Sequence, residues 1–281
     1  MKKTIMIGVT VALLLSIALS GVAYIVFRFG IENIFDKMLE GTSSLDFEKD
    51  GVSYVYHKRY GSYQIENIDD SNNPSELKHI IIPDFINGYE VRIVGEYPVL
   101  WGMPQLGINY SHTERIYFPW TVGGISEINL GSQDSDVLKY FVFSSNDEGI
   151  RYVAQDIIAE PMIRLIISNH FYKHLEPIYL NHNEFFNETY LPANISYMFN
   201  HAGNPNEGYF FIDLIEESGK IMKPPYDPRR EGYAFLGWYK DEGCTEAWDF
   251  ENDEVEIHFD EEGNRIYEEI KLYAGWEKEN W

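Results

Sequence analysis

The 281-residue chain is predicted to be mostly β: an N-terminal transmembrane helix, a short repeat solenoid and a small C-terminal β module. Three observations predict this. Aromatic residues make up 16% of the chain, including 21 tyrosines and 17 phenylalanines, and flat rings pack well on pleated surfaces. A short apolar strand pattern recurs through the middle. An uncharged apolar run opens the chain. The hydrophobic content of 44% suffices for real cores, and the length allows one large or two small domains.

Met1-Lys2-Lys3 precedes a run without charge from Ile5 to Phe27. These 23 residues span about 35 Å as a helix, enough to cross a bilayer. Lys2 and Lys3 stay cytoplasmic by the positive-inside rule, which places the rest of the chain outside. Residues 1–29 therefore read as a signal anchor, or as a signal peptide cleaved after Ala18-Leu19-Ser20. The apolar run continues through Val22–Phe27, past that cleavage point, which favours the anchor. Val22 follows Gly21, so no lipid-bearing cysteine stands there, and no LPxTG motif or second apolar run follows. The N-terminal segment is thus the expected attachment. Residues 30–50, with Gly41-Thr42-Ser43-Ser44, read as a linker.

From residue 51 to 200 one unit recurs. Leu77-Lys78-His79-Ile80-Ile81-Ile82-Pro83 returns as Thr113–Pro119, Leu138–Ser144, Met162–Ser168 and, more weakly, Phe186–Pro192. The starts at 77, 113, 138, 162 and 186 give steps of 36, 25, 24 and 24. One short strand per 20–29 residues is the signature of a leucine-rich-repeat solenoid, in which stacked copies share a core that none could bury alone. Ile80, Ile116, Phe141, Leu165 and Thr189 are then expected at equivalent places on adjacent strands. The long first step implies an insertion at Tyr97–Tyr110. Ile80-Ile81-Ile82-Pro83-Asp84, Asn87-Gly88-Tyr89-Glu90-Val91 and Ile93-Val94-Gly95, after the Tyr54-Val55-Tyr56 and Ser62–Ile65 hairpin, resemble the BspA-like leucine-rich repeats of bacterial surface proteins. Later copies lose the proline and the glycine.

The last segment, 205–281, opens with a Gly208–Asp213 strand and an extended Pro224-Pro225 lead. In Gly232-Tyr233-Ala234-Phe235-Leu236-Gly237-Trp238-Tyr239, strict alternation puts Trp238 opposite Phe235. A bulge at Gly237 brings both onto the core side. Together with Trp248-Asp249-Phe250 and Leu272-Tyr273-Ala274-Gly275-Trp276, these residues resemble the Listeria/Bacteroides repeat, the internalin B-repeat. That resemblance implies a β-grasp-like module of bacterial surface proteins. Gly275 stands where the family usually carries lysine, and Ile257–Tyr267 reads as an extra hairpin turning at Gly263-Asn264.

The net charge of −23 disfavours nucleic acid and anionic lipid as partners. Residues 208–281 alone hold 20 acids against 8 bases. Asp260-Glu261-Glu262-Gly263-Asn264 lacks the alternating ligands of a calcium loop. Cys244 is the single cysteine, which excludes an intramolecular disulfide, and it reads as a small buried residue. His170 and His174 have the spacing of one helical turn but lack the glutamate of a zinc hydrolase. Asp69-Asp70 and Glu216-Glu217 are adjacent pairs whose side chains diverge. Asn194-Ile195-Ser196 fits a glycosylation sequon, as do Asn109-Tyr110-Ser111 and Asn187-Glu188-Thr189. No catalytic, cofactor or metal site is expected.

The resemblances imply a cell-envelope binding or adhesion protein, non-catalytic, with a protein or glycan partner. An envelope spacer and a carbohydrate-active protein are the alternatives. Tyr97, Leu100, Trp101, Met103 and Tyr110, too apolar for an idle loop, are the candidate binding surface. The alternative is that this insertion folds back and caps the solenoid.

Overall fold

A computed structural model describes residues 44–49, 52–59, 62–70, 78–94, 106–109, 113–122, 128–130, 138–146, 163–175, 189–263, 265–266 and 268–279. The apolar run Ile5–Phe27 lies outside them, and among the described residues no helix is long and apolar enough to cross a membrane. The described residues of 44–57 and 62–279 fall in one compact unit.

The first unit of structure is built from β1 (Ser44–Lys49), β2 (Val52–Arg59) and β3 (Ser62–Asp69), neighbours in one sheet. β1 corrects the expected linker: Leu45-Asp46-Phe47-Glu48 alternates apolar and acidic residues, and the segment pairs antiparallel with β2. Tyr54 and Tyr56 of β2 and Tyr63 and Ile65 of β3 are buried, as their alternation anticipates.

The chain then shuttles between two sheets. β4 (His79–Ile81), β5 (Phe85–Ile86), β6 (Tyr89–Val94), β7 (Leu106–Asn109), β8 (Arg115–Phe118), β9 (Ile128–Leu130), β10 (Tyr140–Phe143), β11 (Arg164–Ile167), helix α1 (Asn169–Leu175) and β12 (Tyr190–Pro192) follow in order. β4, β8, β10, β11 and β12 are consecutive strands of one five-stranded parallel sheet. β7 runs parallel to β3 and β9 in the other. In the five-stranded sheet Ile80 lies opposite Ile116, Ile116 opposite Phe141 and Phe141 opposite Leu165, as the repeat spacing predicts. The fifth copy is one residue off. Tyr190, not Thr189, stands opposite Leu165. The alignment of Leu191-Pro192 with Ile82-Pro83 misled, because the fully buried tyrosine rather than the proline holds the register.

The stretch expected as an insertion contributes β7 at its C-terminal end. β9 carries no repeat signature and was missed. Helix α1 starts where Ser168 Oγ accepts the Phe171 N–H at 3.1 Å and turns Phe171 and Leu175 into the core.

The five-stranded sheet is buried on both faces. Ile80, Ile82, Ile116, Phe118, Phe141, Phe143, Leu165 and Ile167 pack with Ile65 and Ile68 of β3 in one core. Tyr117, Val142 and Ile166 point the other way into a second core. Two-sided burial is the usual condition of parallel strands.

The second core belongs to a four-stranded mixed sheet. β13 (Ile195–Met198) pairs antiparallel with β14 (Tyr209–Asp213) and parallel with β18 (Ile270–Lys278), and β15 (Tyr233–Tyr239) lies antiparallel to β18. β16 (His258–Phe259) and β17 (Arg265–Ile266) form the extra hairpin, with Gly263 in its turn at φ +83°. The C-terminal sheet therefore begins before residue 205, and β13 is one of its two inner strands.

The bulge at Gly237 forms as expected. Phe235 faces Trp276, Gly237 faces Gly275 at φ +129°, and Leu236 is left out of register. Trp238 is consequently 2% exposed, with ring centroids 5.2 Å from Phe235, 4.9 Å from Tyr197 and 5.7 Å from Phe210. Phe235 and Trp276 are 5.8 Å apart and half-buried. Gly275 is covered by the Tyr239 ring, and a Cβ there would come within 2.2 Å of it. The family's lysine does not fit beneath that ring as it stands.

Candidate functional site

Two places combine polar chemistry with defined geometry: the junction between the sheets and the outer face around β16–β17. At the junction Arg115 leaves β8 from the side facing β14. Its Nη1 donates to Asp213 Oδ1 at 2.9 Å and to the Leu214 carbonyl at 2.7 Å. Asp213 also accepts the Tyr117 hydroxyl at 2.9 Å and the Leu214 N–H at 2.8 Å. Burial pushes the Tyr117 phenol well above its ordinary range, so it remains a donor to the carboxylate. The Arg115 guanidinium lies 4.9 Å from the Tyr140 ring centroid, and the Tyr140 hydroxyl donates to Glu216 at 3.1 Å. A buried pair with all these partners satisfied ties one sheet to the other in a single register.

At the opposite end of the junction Asp84 is 4% exposed. Burial raises its carboxyl to about 6, only partly offset by the Trp120 indole and the Arg229 guanidinium. Arg229, from the segment after Pro224-Pro225, stacks 4.7 Å from the Phe85 ring centroid. Asn206 closes the remaining edge, donating to the Ser144 carbonyl at 2.6 Å and accepting from the Asn146 N–H at 2.6 Å. The arrangement fastens two sheets.

The outer face is different in kind. Leu236, Phe259 and Ile266 are large apolar residues left 53%, 58% and 41% exposed. Beside the hairpin lies a groove of about 200 Å³, lined by Trp248, Glu254, Val255, Glu256, Ile257, His258, Ile266, Glu268 and Ile270. Val255 forms its deeply buried part, bridged to Gly219 on the inner side. The hairpin was legible in the sequence, but its exposed Phe259 and Ile266 were not singled out.

Tyr97, Leu100, Trp101, Met103 and Tyr110 lie outside the described residues. His170 and His174 share helix α1 and both face solvent. Asp70 is fully buried and bonded to Thr113, while its neighbour Asp69 is half-buried, so the two carboxyls do diverge. Glu216 is tied to Tyr140 and Glu217 is exposed. Asn194 is 2% exposed, with its amide donating to the Ile215 carbonyl at 2.9 Å, so this sequon is structural. Cys244 corrects its expected burial. It is half-buried at φ +54°, takes a 3.3 Å bond from Asn200 Nδ2, and burial raises its thiol.

Residues 195–274 match the Listeria-Bacteroides repeat domain. Two proteins of Evansella cellulosilytica are similar to part of this chain. One, named "Putative membrane protein", is 38% identical over 76 residues, 27% of this chain and 10% of the relative. The other, named "Putative Gly-rich membrane protein", is 39% identical over 72 residues, 26% of this chain and 7% of the relative. The likeness thus spans a tenth or less of each relative's length. The match begins at Ile195, the first residue of β13, and ends within β18, so it encloses the mixed sheet apart from Gly275–Lys278 of its closing strand. Residues 195–274 of this chain are thus similar to the Listeria-Bacteroides repeat domain, a module typical of surface proteins.

Proposed function

We propose that this chain is a non-catalytic binding protein of the bacterial cell surface, held by its N-terminal apolar segment with the rest of the chain outside the membrane. The Listeria-Bacteroides repeat at 195–274 is the observation that carries the reading. The names of the two relatives support a membrane-associated setting. The middle of the chain is a short, irregular solenoid of leucine-rich-repeat type. Support comes from the in-register stack of Ile80, Ile116, Phe141 and Leu165 at steps of 36, 25 and 24 residues. Fusing such a stack to the repeat domain through a buried ion pair makes a rigid body, and rigidity lowers the entropy lost on binding.

The test is retention. The full-length chain in detergent micelles is passed over immobilised peptidoglycan, a glycan array and extracellular matrix proteins. Saturable retention, with the ligand recovered chemically unchanged, supports the reading. Cleavage of a glycan in the same experiment would replace it with a carbohydrate-active enzyme. No retention on any surface would leave a structural spacer.

A further inference from the structure

We propose that the groove beside the β16–β17 hairpin binds a basic, partly apolar peptide segment of a protein partner. A lysine or arginine side chain enters the groove, and an apolar neighbour covers Ile266. The inference deepens the surface-binding reading and rests on it.

Size comes first. At about 200 Å³ the groove is smaller than the roughly 300–1,000 Å³ of pockets that hold cofactors and drug-sized ligands. It suits one long side chain. The lining divides chemically: Val255, Ile257, Ile270 and the Trp248 ring offer apolar contact to an aliphatic stem, and Glu254, Glu256 and Glu268 carry carboxylates to its charged end. Among the described residues these three glutamates make no ion pair. The nearby ammonium of Lys240 is already bound to Glu246 at 2.6 Å and Asp253 at 3.1 Å. Lys240 Nζ also lies 5.7 Å from the Trp248 ring centroid, so this indole is already placed to face a cation.

A further observation points to an occupant. Ile266, left 41% exposed, and the half-buried Ile257 and Ile270 make an apolar patch in the groove lining of an otherwise acidic module. The surplus of acids over bases in residues 208–281 attracts a cationic partner over long range, and the patch selects among cations those with apolar neighbours.

The experiment titrates full-length protein in micelles with a fluorescent Gly-Lys-Leu-Lys-Gly peptide, read by thermophoresis against protein-free micelles. Serine-for-leucine and glutamate-for-lysine peptides run alongside. The triple variant Glu254→Gln, Glu256→Gln, Glu268→Gln should weaken the lysine–leucine peptide about tenfold or more. The control triple Glu231→Gln, Glu242→Gln, Glu277→Gln removes the same charge outside the groove and should change affinity less than about twofold. Ile266→Ser should weaken the leucine peptide but not the serine peptide. Equal loss in both triple variants would reduce the effect to diffuse charge and overturn the proposal. Failure of the lysine–leucine peptide to bind, or equal binding of the glutamate peptide, would overturn it too. If the groove variants still hold the peptidoglycan or matrix protein that retains the parent, the groove is not the docking site, while the surface-binding reading stands.

Discussion

Replacing Trp238 with alanine removes the side chain on which the repeat domain's core converges. The indole is 2% exposed and touches rings from three other positions: Tyr197 on β13, Phe210 on β14 and Phe235 on its own strand. Burying a side chain of this size withdraws roughly 150–250 Å² from water, and truncations of this kind cost about 3–5 kcal/mol. Its N–H has no acceptor among the described residues, so no hydrogen bond is lost with it. The cost is therefore one of packing, set by how little the bulge at Gly237 lets β15 close over the cavity. For a unit of this size about 3–5 kcal/mol corresponds to a fall in Tm of roughly 6–20 °C. The assay is urea and thermal unfolding of parent and variant, followed by far-ultraviolet circular dichroism. Trp238→Phe, which keeps most of the volume, should recover the larger part of the loss. A Trp238→Ala protein that melts with the parent while losing retention on a glycan surface would refute the packing argument and make the indole a ligand contact.

Four other outcomes are expected. Arg115→Met leaves Asp213 buried and unpaired and should cost about 3–5 kcal/mol in denaturant unfolding, whereas Arg115→Met with Asp213→Leu should cost clearly less. Asp84 has a folded pKa of about 6, above the unfolded value near 4. Its stabilising contribution is therefore complete below about pH 4 and lost as pH rises through 6. Asp84→Asn should abolish that slope and gain up to about 3 kcal/mol over the parent at pH 8, measured as the difference in unfolding free energy across pH. Residues 205–281 expressed alone lack β13, which joins β14 to β18, and should show no cooperative melt. A sigmoidal transition there would mean that β13 is dispensable. Mass spectrometry of protein from membranes should find the N-terminal lysines retained, and a mature terminus near Gly21 would mean secretion instead.

Much of the parallel sheet was legible because a parallel stack writes itself locally. Each short strand must bring the same apolar residue to the same place, and the chain needs a nearly constant number of residues to return. Ile80, Ile116, Phe141 and Leu165 could thus be aligned to the residue. The register slipped at the fifth strand, where Leu191-Pro192 imitated Ile82-Pro83 while the buried Tyr190 decided the pairing. β1 and β9 escaped because a few alternating residues in a polar setting are a weak signal. The bulge at Gly237 was readable because an aromatic of that size cannot face water beside Phe235 at no cost.

The continuity of the two sheets was a different matter. Ile116-Tyr117-Phe118, Phe141-Val142-Phe143 and Leu165-Ile166-Ile167 are apolar on both sides, a hint of two-sided burial that alternation arguments pass over. What lies against the outer side is another question, since Arg115 and Asp213 are separated by 98 residues and neither leaves a local pattern. The groove is likewise made by Trp248, the 254–258 segment, β17 and the entry to β18, each unremarkable alone. By itself the sequence determined most of the strands, the first four repeats and the repeat domain's aromatic core, because these depend on neighbours a few residues or one fixed period away. Only the tertiary structure decided which charges are buried together, where one domain's core becomes the other's, and which apolar side chains remain in water. Those outcomes depend on which surfaces meet after the chain has folded, and no local spacing records that meeting.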